Sequence, residues 1–151
     1  MNKMELAARW GFLEEEPEPC AVVSATMELL YLNRAARPLV PPCWQGRRCW
    51  QAFPVGERSC ASRCPAVKAV AHSKDIVYCE EQLFPPDGQP IALGVAAIPL
   101  ERALSHGEKA LLLFRPKGPQ KETSAFRQNL TEKAGKLKKW SLARLETLGA
   151  D

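Results

Sequence analysis

Cys43, Cys49, Cys60 and Cys64 fall within 22 residues, with Arg47, Arg48, Arg58 and Arg63 among them. Thiolates are nucleophiles and soft metal ligands, and neighbouring cations favour the thiolate form. The segment therefore suits a metal or cluster site, a reactive redox pair, or a set of structural thiols. Its spacing is C-x5-C-x10-C-x3-C. A zinc ribbon would use two close pairs, and only the last pair here is close. Iron–sulfur clusters accept irregular spacing because loops supply their ligands. The arginines could offset the negative charge of an all-thiolate cluster, or lower the thiol pKa values.

Pro65 follows Cys64 and suits the first turn of a helix over 65–73. Cys64 would then sit at a helix N-terminus, where partial positive charge favours a thiolate. Cys60 is its natural partner. The predicted ligand set is Cys43, Cys49, Cys60 and Cys64, with Cys79 as the alternative fourth ligand. An iron–sulfur cluster fits it, zinc is the alternative, and a metal-free site fits too. Cys20 opens a strand and reads as a small core residue. His72 and His106 read as surface residues. Trp44 and Trp50 flank Cys49, either as the core of the segment or as a water shield.

These thiols need a scaffold to position them. The chain has 151 residues, 46% hydrophobic and 25% charged, an ordinary balance for one domain. A chain this long folds without disulfides. Its longest apolar run, ALLLF at 110–114, is too short to span a bilayer. The acidic stretch EEEPEP at 14–19 stands where a signal peptide needs an apolar core. A cytoplasmic protein is expected, in which thiols stay reduced.

Residues 3–13 have helical spacing, with Met4, Ala7, Ala8 and Phe12 in phase. Glu-Pro-Glu-Pro at 16–19 makes a stiff connector. CAVVSAT and MELLYLN predict two strands joined by a tight turn. Asn33 is placed to N-cap RAARPLV, before Pro41-Pro42 breaks the chain. IVYCEEQL, IALGVAAIPL and EKALLLFRP predict three more strands, with a turn at Asp87-Gly88 between the first two. The order predicts an α+β fold with an antiparallel sheet. Residues 1–17 form a helix and connector, 18–118 the sheet domain and 119–151 a C-terminal helix.

That helix carries Phe126, Leu130, Ala134, Leu137, Ser141, Leu145 and Leu148 at spacings 4-4-3-4-4-3. Two eleven-residue repeats keep the stripe on one helix face. The stripe looks too long for a small sheet to cover, so a partner helix, such as its copy in a homodimer, is expected to meet it. Packing back on its own domain is the alternative. Residues 115–144 hold nine basic and two acidic side chains. Such a segment could meet nucleic acid, although a solvated helix face accounts for the charge equally simply.

For catalysis there is little. No phosphate-cradling glycine loop and no Ser/His/Asp motif is present. Glu80 and Glu81 are adjacent on a strand and point to opposite faces. No C-x-x-C pair supports a thiol oxidoreductase. A non-enzymatic domain is expected.

CAVVSATMELLYLNRAARPLV, with EEQLFPPDGQPIALGVAAIPL and EKALLLFRP, resembles a PAS domain. Tyr31-Leu32-Asn33-Arg34-Ala35-Ala36 is similar to the family's "yxN-xAA" element. Ile98-Pro99-Leu100 is similar to its closing "xPl". Gly46-Arg-Arg-Cys49 and Cys60-Ala-Ser-Arg-Cys64-Pro65 look like a bacterial PAS subgroup with a G-x-x-C…C-x-x-x-C-P insertion. The resemblance implies a five-stranded antiparallel sheet with short helices on one face and a long C-terminal helix. It also implies a sensor of redox state, oxygen or metal, signalling through that helix to a dimer partner or a separate signalling or transcription protein. The alternative is a protein–protein interaction module with structural cysteines.

Overall fold

The computed structural model describes residues 9–24, 27–53, 75–84, 88–100, 109–117 and 124–147. Five strands form one antiparallel sheet: β1 (Cys20–Ser24), β2 (Leu29–Leu32), β3 (Val77–Leu83), β4 (Ile91–Leu100) and β5 (Lys109–Pro116). Their spatial order is β2-β1-β5-β4-β3. All five predicted strands are present, each within a few residues of its expected ends. The predicted turn residue Asp87 lies outside the described residues. So do Met4, Ala7, Ala8 and Leu148, and the whole predicted helix over 65–73.

Strands β4 and β5 are covered on both faces. Eight consecutive residues, Leu93–Leu100, are buried, as are Lys109–Phe114. That is why they read as continuous apolar runs rather than alternating ones. Pro99 interrupts β4 without cost to the ladder. It pairs with Ala110 on β5, while β3 pairs with β4 only as far as Ala97. The missing N–H falls where no third strand needs it.

Each face of the sheet carries its own core. The first, the thiol face, takes Val23, Leu29, Val95, Leu112 and Phe114, covered by the short helix Cys49–Ala52 and Phe53. The second, the helix face, takes Val22, Ala96, Ile98, Leu111 and Leu113. Two elements cover it: the N-terminal segment, with a 3-10 turn at Gly11–Glu15, and the C-terminal helix Ser124–Thr147. Of the helix expected over 3–13, the described residues show Arg9 and Trp10 in helical conformation and then that 3-10 turn; the residues before Arg9 lie outside the described ones. RAARPLV forms a turn and a 3-10 segment, Arg37–Leu39, because Pro38 and the following Pro41-Pro42 deny a longer helix its donors.

Among the described residues the apolar stripe of the C-terminal helix is largely covered within the chain. Leu130, Ala134, Ser141 and Leu145 are fully buried and Leu137 nearly so. The helix packs chiefly on β4. Gly94 makes this approach close: a Cβ there would lie 2.5 Å from Phe126 Cε1 and 3.2 Å from Leu130 Cδ2. A partner helix was expected because the helix outruns the sheet. Trp10, Phe12 and Leu13 extend the apolar surface past the sheet and cover the remainder. No helix among the described residues is long and apolar enough to cross a membrane.

Candidate functional site

Cys49 opens the short helix on the thiol face. Its N–H donates to the Met27 carbonyl at 2.9 Å, and Arg48 bridges Glu28 beside it. Gly46 makes this approach feasible. Its φ of +80° is left-handed, and the turn closes with Arg47 N–H on Trp44 O at 3.0 Å. This is a physical reason for the glycine in G-x-x-C. Met27 is also left-handed, at φ +68°, in the turn joining β1 to β2. Cys49 is 6% exposed. Four residues on, Phe53 lies against Phe114, with ring centroids 5.0 Å apart. Trp44 packs at the rim of this core, while Cys43, Arg47 and Arg48 are exposed.

The other predicted ligands are dispersed. Cys60, Cys64, His72 and His106 lie outside the described residues. Cys79 is half-buried on β3, with its thiol 3.9 Å from Glu81 Oε1, and packs against the same core as Cys49. The two thiols stand near opposite edges of that face. Cys49 is tethered beside β2, and four strand spacings of about 4.8 Å, roughly 19 Å, separate β2 from β3. One zinc ion holds two thiolates only about 4 Å apart. Cys49 and Cys79 are therefore not brought together. Among the described residues no three of His, Cys, Asp and Glu form a group able to hold a metal. Glu80 points to the opposite face from Glu81, as predicted, and pairs with Lys117 at 2.9 Å.

Sequence reasoning missed a polar junction on the helix face. Asn33 is fully buried. Its Oδ1 accepts from Cys20 N–H at 2.9 Å and from Ala36 N–H at 3.1 Å. Its Nδ2 donates to the carbonyls of Leu13, Glu16 and Glu18. The capping role was legible, but the clamp on the N-terminal segment was not. Glu16 and Glu18 both bind Lys133 of the C-terminal helix, and Arg115 of β5 forks onto Glu18 at 2.6 and 2.8 Å. Glu14 receives Tyr31, Arg34 and Arg37. The alternation Glu-Pro-Glu-Pro was the available signal, since it sets Glu16 and Glu18 two residues apart in an extended chain.

The charges respond to this setting. The Arg115 fork holds the Glu18 carboxyl below its usual range, against an opposing effect of burial, and Lys133 adds to it. Burial and the hydrogen bond to Glu14 push the Tyr31 hydroxyl up to about 12. Burial, helped by Glu16, pushes the Cys20 thiol far above the ordinary range, so Cys20 is a neutral core residue.

A five-stranded antiparallel sheet in this order, with short helices on one face and a long C-terminal helix, is the PAS fold. Solved structures share it at low sequence identity. The PAS domain of an HTR-like protein from Haloarcula marismortui is 17% identical, with a TM-score of 0.57, over 76% of this chain and 93% of that one. A variant of the RsLOV protein is 13% identical, with a TM-score of 0.65, over 100% of this chain and 86% of its own. The Vibrio cholerae VqmA dimer, described among DNA-binding LuxR-type receptors, is 15% identical, with a TM-score of 0.57, over 78% of this chain and 52% of its own. No protein-family model matches the sequence, and no curated protein matches it.

Proposed function

We propose that this chain is a cytoplasmic sensory or regulatory PAS-type domain. A change in redox state, oxygen or bound metal at the thiol face alters packing there, and the sheet passes it to the C-terminal helix. One observation carries the reading. Cys49 and the helix lie on opposite faces of the same sheet, and β4 and β5 supply alternate side chains to both cores. A displacement on one face therefore moves residues that pack the other.

Cys49, Cys60 and Cys64 are the proposed ligands, matching the G-x-x-C…C-x-x-x-C-P pattern. Cys43 is favoured as the fourth, because it shares a loop with Cys49 while Cys79 stands across the sheet. A bound cluster would supply a one-electron change, and zinc a fixed thiolate geometry. The chain's own part is to present Cys49 through the Gly46 turn and the Met27 carbonyl. The exposed Arg47 and Arg48 offset thiolate charge. Output runs to a second copy or to a separate signalling or transcription protein. The VqmA likeness supports both, since that protein is described as a dimer and in connection with the DNA-binding mechanisms of LuxR-type receptors.

Purification without oxygen, followed by absorbance and iron and zinc analysis, tests the site. Iron with visible absorbance, or stoichiometric zinc, is expected, and Cys60→Ala with Cys64→Ala should abolish it. A colourless, metal-free protein with unreactive thiols would overturn the thiol-sensing reading. The second reading is an interaction module with structural cysteines. The burial of Cys49 as a small apolar residue favours it. It predicts that the double variant keeps both its fold and its partner binding under oxidant.

A further inference from the structure

A groove of about 430 Å³ lies between the C-terminal helix and the N-terminal segment. That volume suits a small-molecule site. Asn129, Lys133, Lys136 and Trp140 recur every three or four residues, so they line it from one side of the helix. Glu16 forms the facing wall and is fixed there. Its Oε1 accepts from Lys133 and from the Glu18 N–H, and its carbonyl accepts from Asn33 Nδ2. Its Oε2 accepts nothing among the described residues, although the side chain is only 10% exposed. Three donors on the helix are also unused. The Lys136 ammonium, the Asn129 amide and the Trp140 indole N–H have no acceptor among the described residues. Phe12 braces the Trp140 ring edge-on, with centroids 5.1 Å apart.

We propose that this groove binds a small zwitterion with an apolar body, namely a free amino acid with an apolar side chain. The ligand's ammonium donates to Glu16 Oε2. Its carboxylate accepts from Lys136 and Asn129, and its side chain lies along Leu137 and Trp140. Lys136 stands one turn from the Lys133 that holds Glu16, about 5–6 Å away at Cβ, so the two ends of one amino acid can reach both. Charge balance selects the class. Glu18 and Arg115 stand behind Glu16, and Glu132 lies beside Lys136, so three carboxylates meet three cations. A simple anion leaves Glu16 Oε2 unfilled, and a simple cation leaves Lys136 unmatched. Because Glu16 is held in place before binding, the ligand has little ordering of that wall to bring about. The site lies on the helix face, away from the thiols, and goes beyond the proposed function.

Titration of the full chain with L-phenylalanine, followed through the NMR signal of the Trp140 indole N–H, tests it. Trp140→Phe assigns that signal. A saturable shift is expected, with a dissociation constant of about 1 mM or below. Lys136→Met should weaken binding at least about tenfold, as loss of a charge-assisted hydrogen bond does. The chain should keep its fold, because Lys136 is exposed and has no partner among the described residues. Hydrocinnamate lacks the ammonium and phenethylamine lacks the carboxylate, and each should bind at least about tenfold more weakly than L-phenylalanine. The absence of a saturable shift would overturn the proposal. So would binding that Lys136→Met leaves unchanged, or equal affinity for hydrocinnamate or phenethylamine. The titration needs neither metal nor oxidant, so this inference and the thiol-sensing reading fail separately.

Discussion

The two faces of this sheet solve the covering problem in different ways. The helix face is closed by elements distant in sequence, the N-terminal segment and the C-terminal helix, and pinned by charge and hydrogen bonds. The described cover of the thiol face comes from the chain just after β2, residues 33–53, which brings apolar side chains, the exposed Arg47 and Arg48, and Cys49. A face built on a buried amide and ion pairs has one well-defined arrangement. A face built on apolar side chains, with the thiols of Cys49 and Cys79 among them, has no such polar clamp among the described residues. Under the proposed function, the first face would carry stability and output and the second the input.

The largest test of that contrast is Asn33. Replacing it with alanine leaves the buried Cys20 N–H without its acceptor and frees the carbonyls of Glu16 and Glu18. Each buried unmade hydrogen bond costs about 1–3 kcal/mol, so Asn33→Ala should destabilise by roughly 3–4 kcal/mol. Urea unfolding with an unchanged m-value would confirm a loss of stability alone. Next comes Gly94→Val. Its Cβ would collide with Phe126, and overpacking of this kind costs about 1–3 kcal/mol. Near-UV circular dichroism and exchange of the amides at 126–134 should show the helix displaced while the thiol face is unaffected. If both faces loosen equally, the division between them is wrong.

Much of this plan was legible in the sequence. The strands announced themselves by β-branched and leucine-rich runs bounded by turn residues; the lack of alternation in β4 and β5 was a further signal, of coverage on both faces, that went unread. The fate of the apolar stripe was misjudged for a physical reason. A 24-residue helix is about 36 Å long, while five strands span roughly 19 Å. That comparison ignored the N-terminal segment, which Asn33 and three glutamates draw onto the same face. The thiols were legible as chemistry but not as geometry. Only the strand order shows that Cys79 stands across the sheet from Cys49, because periodicity fixes which face a residue occupies and not how far along the sheet it lies.

A smaller effect should come from the ion pairs, and its pH dependence identifies them. The Glu18 carboxyl is held below its ordinary value of 4.5 by the Arg115 fork. A group with a depressed folded pKa adds stability above its unfolded pKa and loses it as pH falls through the folded value. Glu18→Gln should therefore cost about 1–2 kcal/mol at neutral pH, in line with a charge-assisted hydrogen bond. The gap between variant and parent should close as pH falls below 4.5 and through the depressed folded value. For Lys133, burial opposes the charge but the bonds from Glu16 and Glu18 outweigh it, so its pKa is raised. Its contribution is present at neutral pH and is lost only as pH rises past 10.5 through the raised value. Lys133→Met should thus weaken the hold of the C-terminal helix on the N-terminal segment at pH 7 and converge with the parent only in strong alkali. A pH-independent difference would mean that the lysine acts through its aliphatic stem.

The smallest expected effect sharpens the comparison most. Cys20 and Cys49 are both buried thiols, one on each face. Cys20 lies at the foot of the polar junction, bonded to the Glu18 carbonyl, with its thiol held neutral by burial. Cys20→Ala should cost about 1 kcal/mol or less and leave metal content and thiol reactivity unchanged, as for any small core residue. Cys49→Ala removes a side chain of the same size and similar burial, so its stability cost should be comparable. It should differ in one respect only, the loss of metal or of oxidant response in the anaerobically purified protein. A chromogenic thiol reagent gives the companion measurement. Exposed Cys43 should react at once, and Cys20 only on unfolding. If Cys20→Ala changes the oxidant response as much as Cys49→Ala does, the input is not confined to the thiol face.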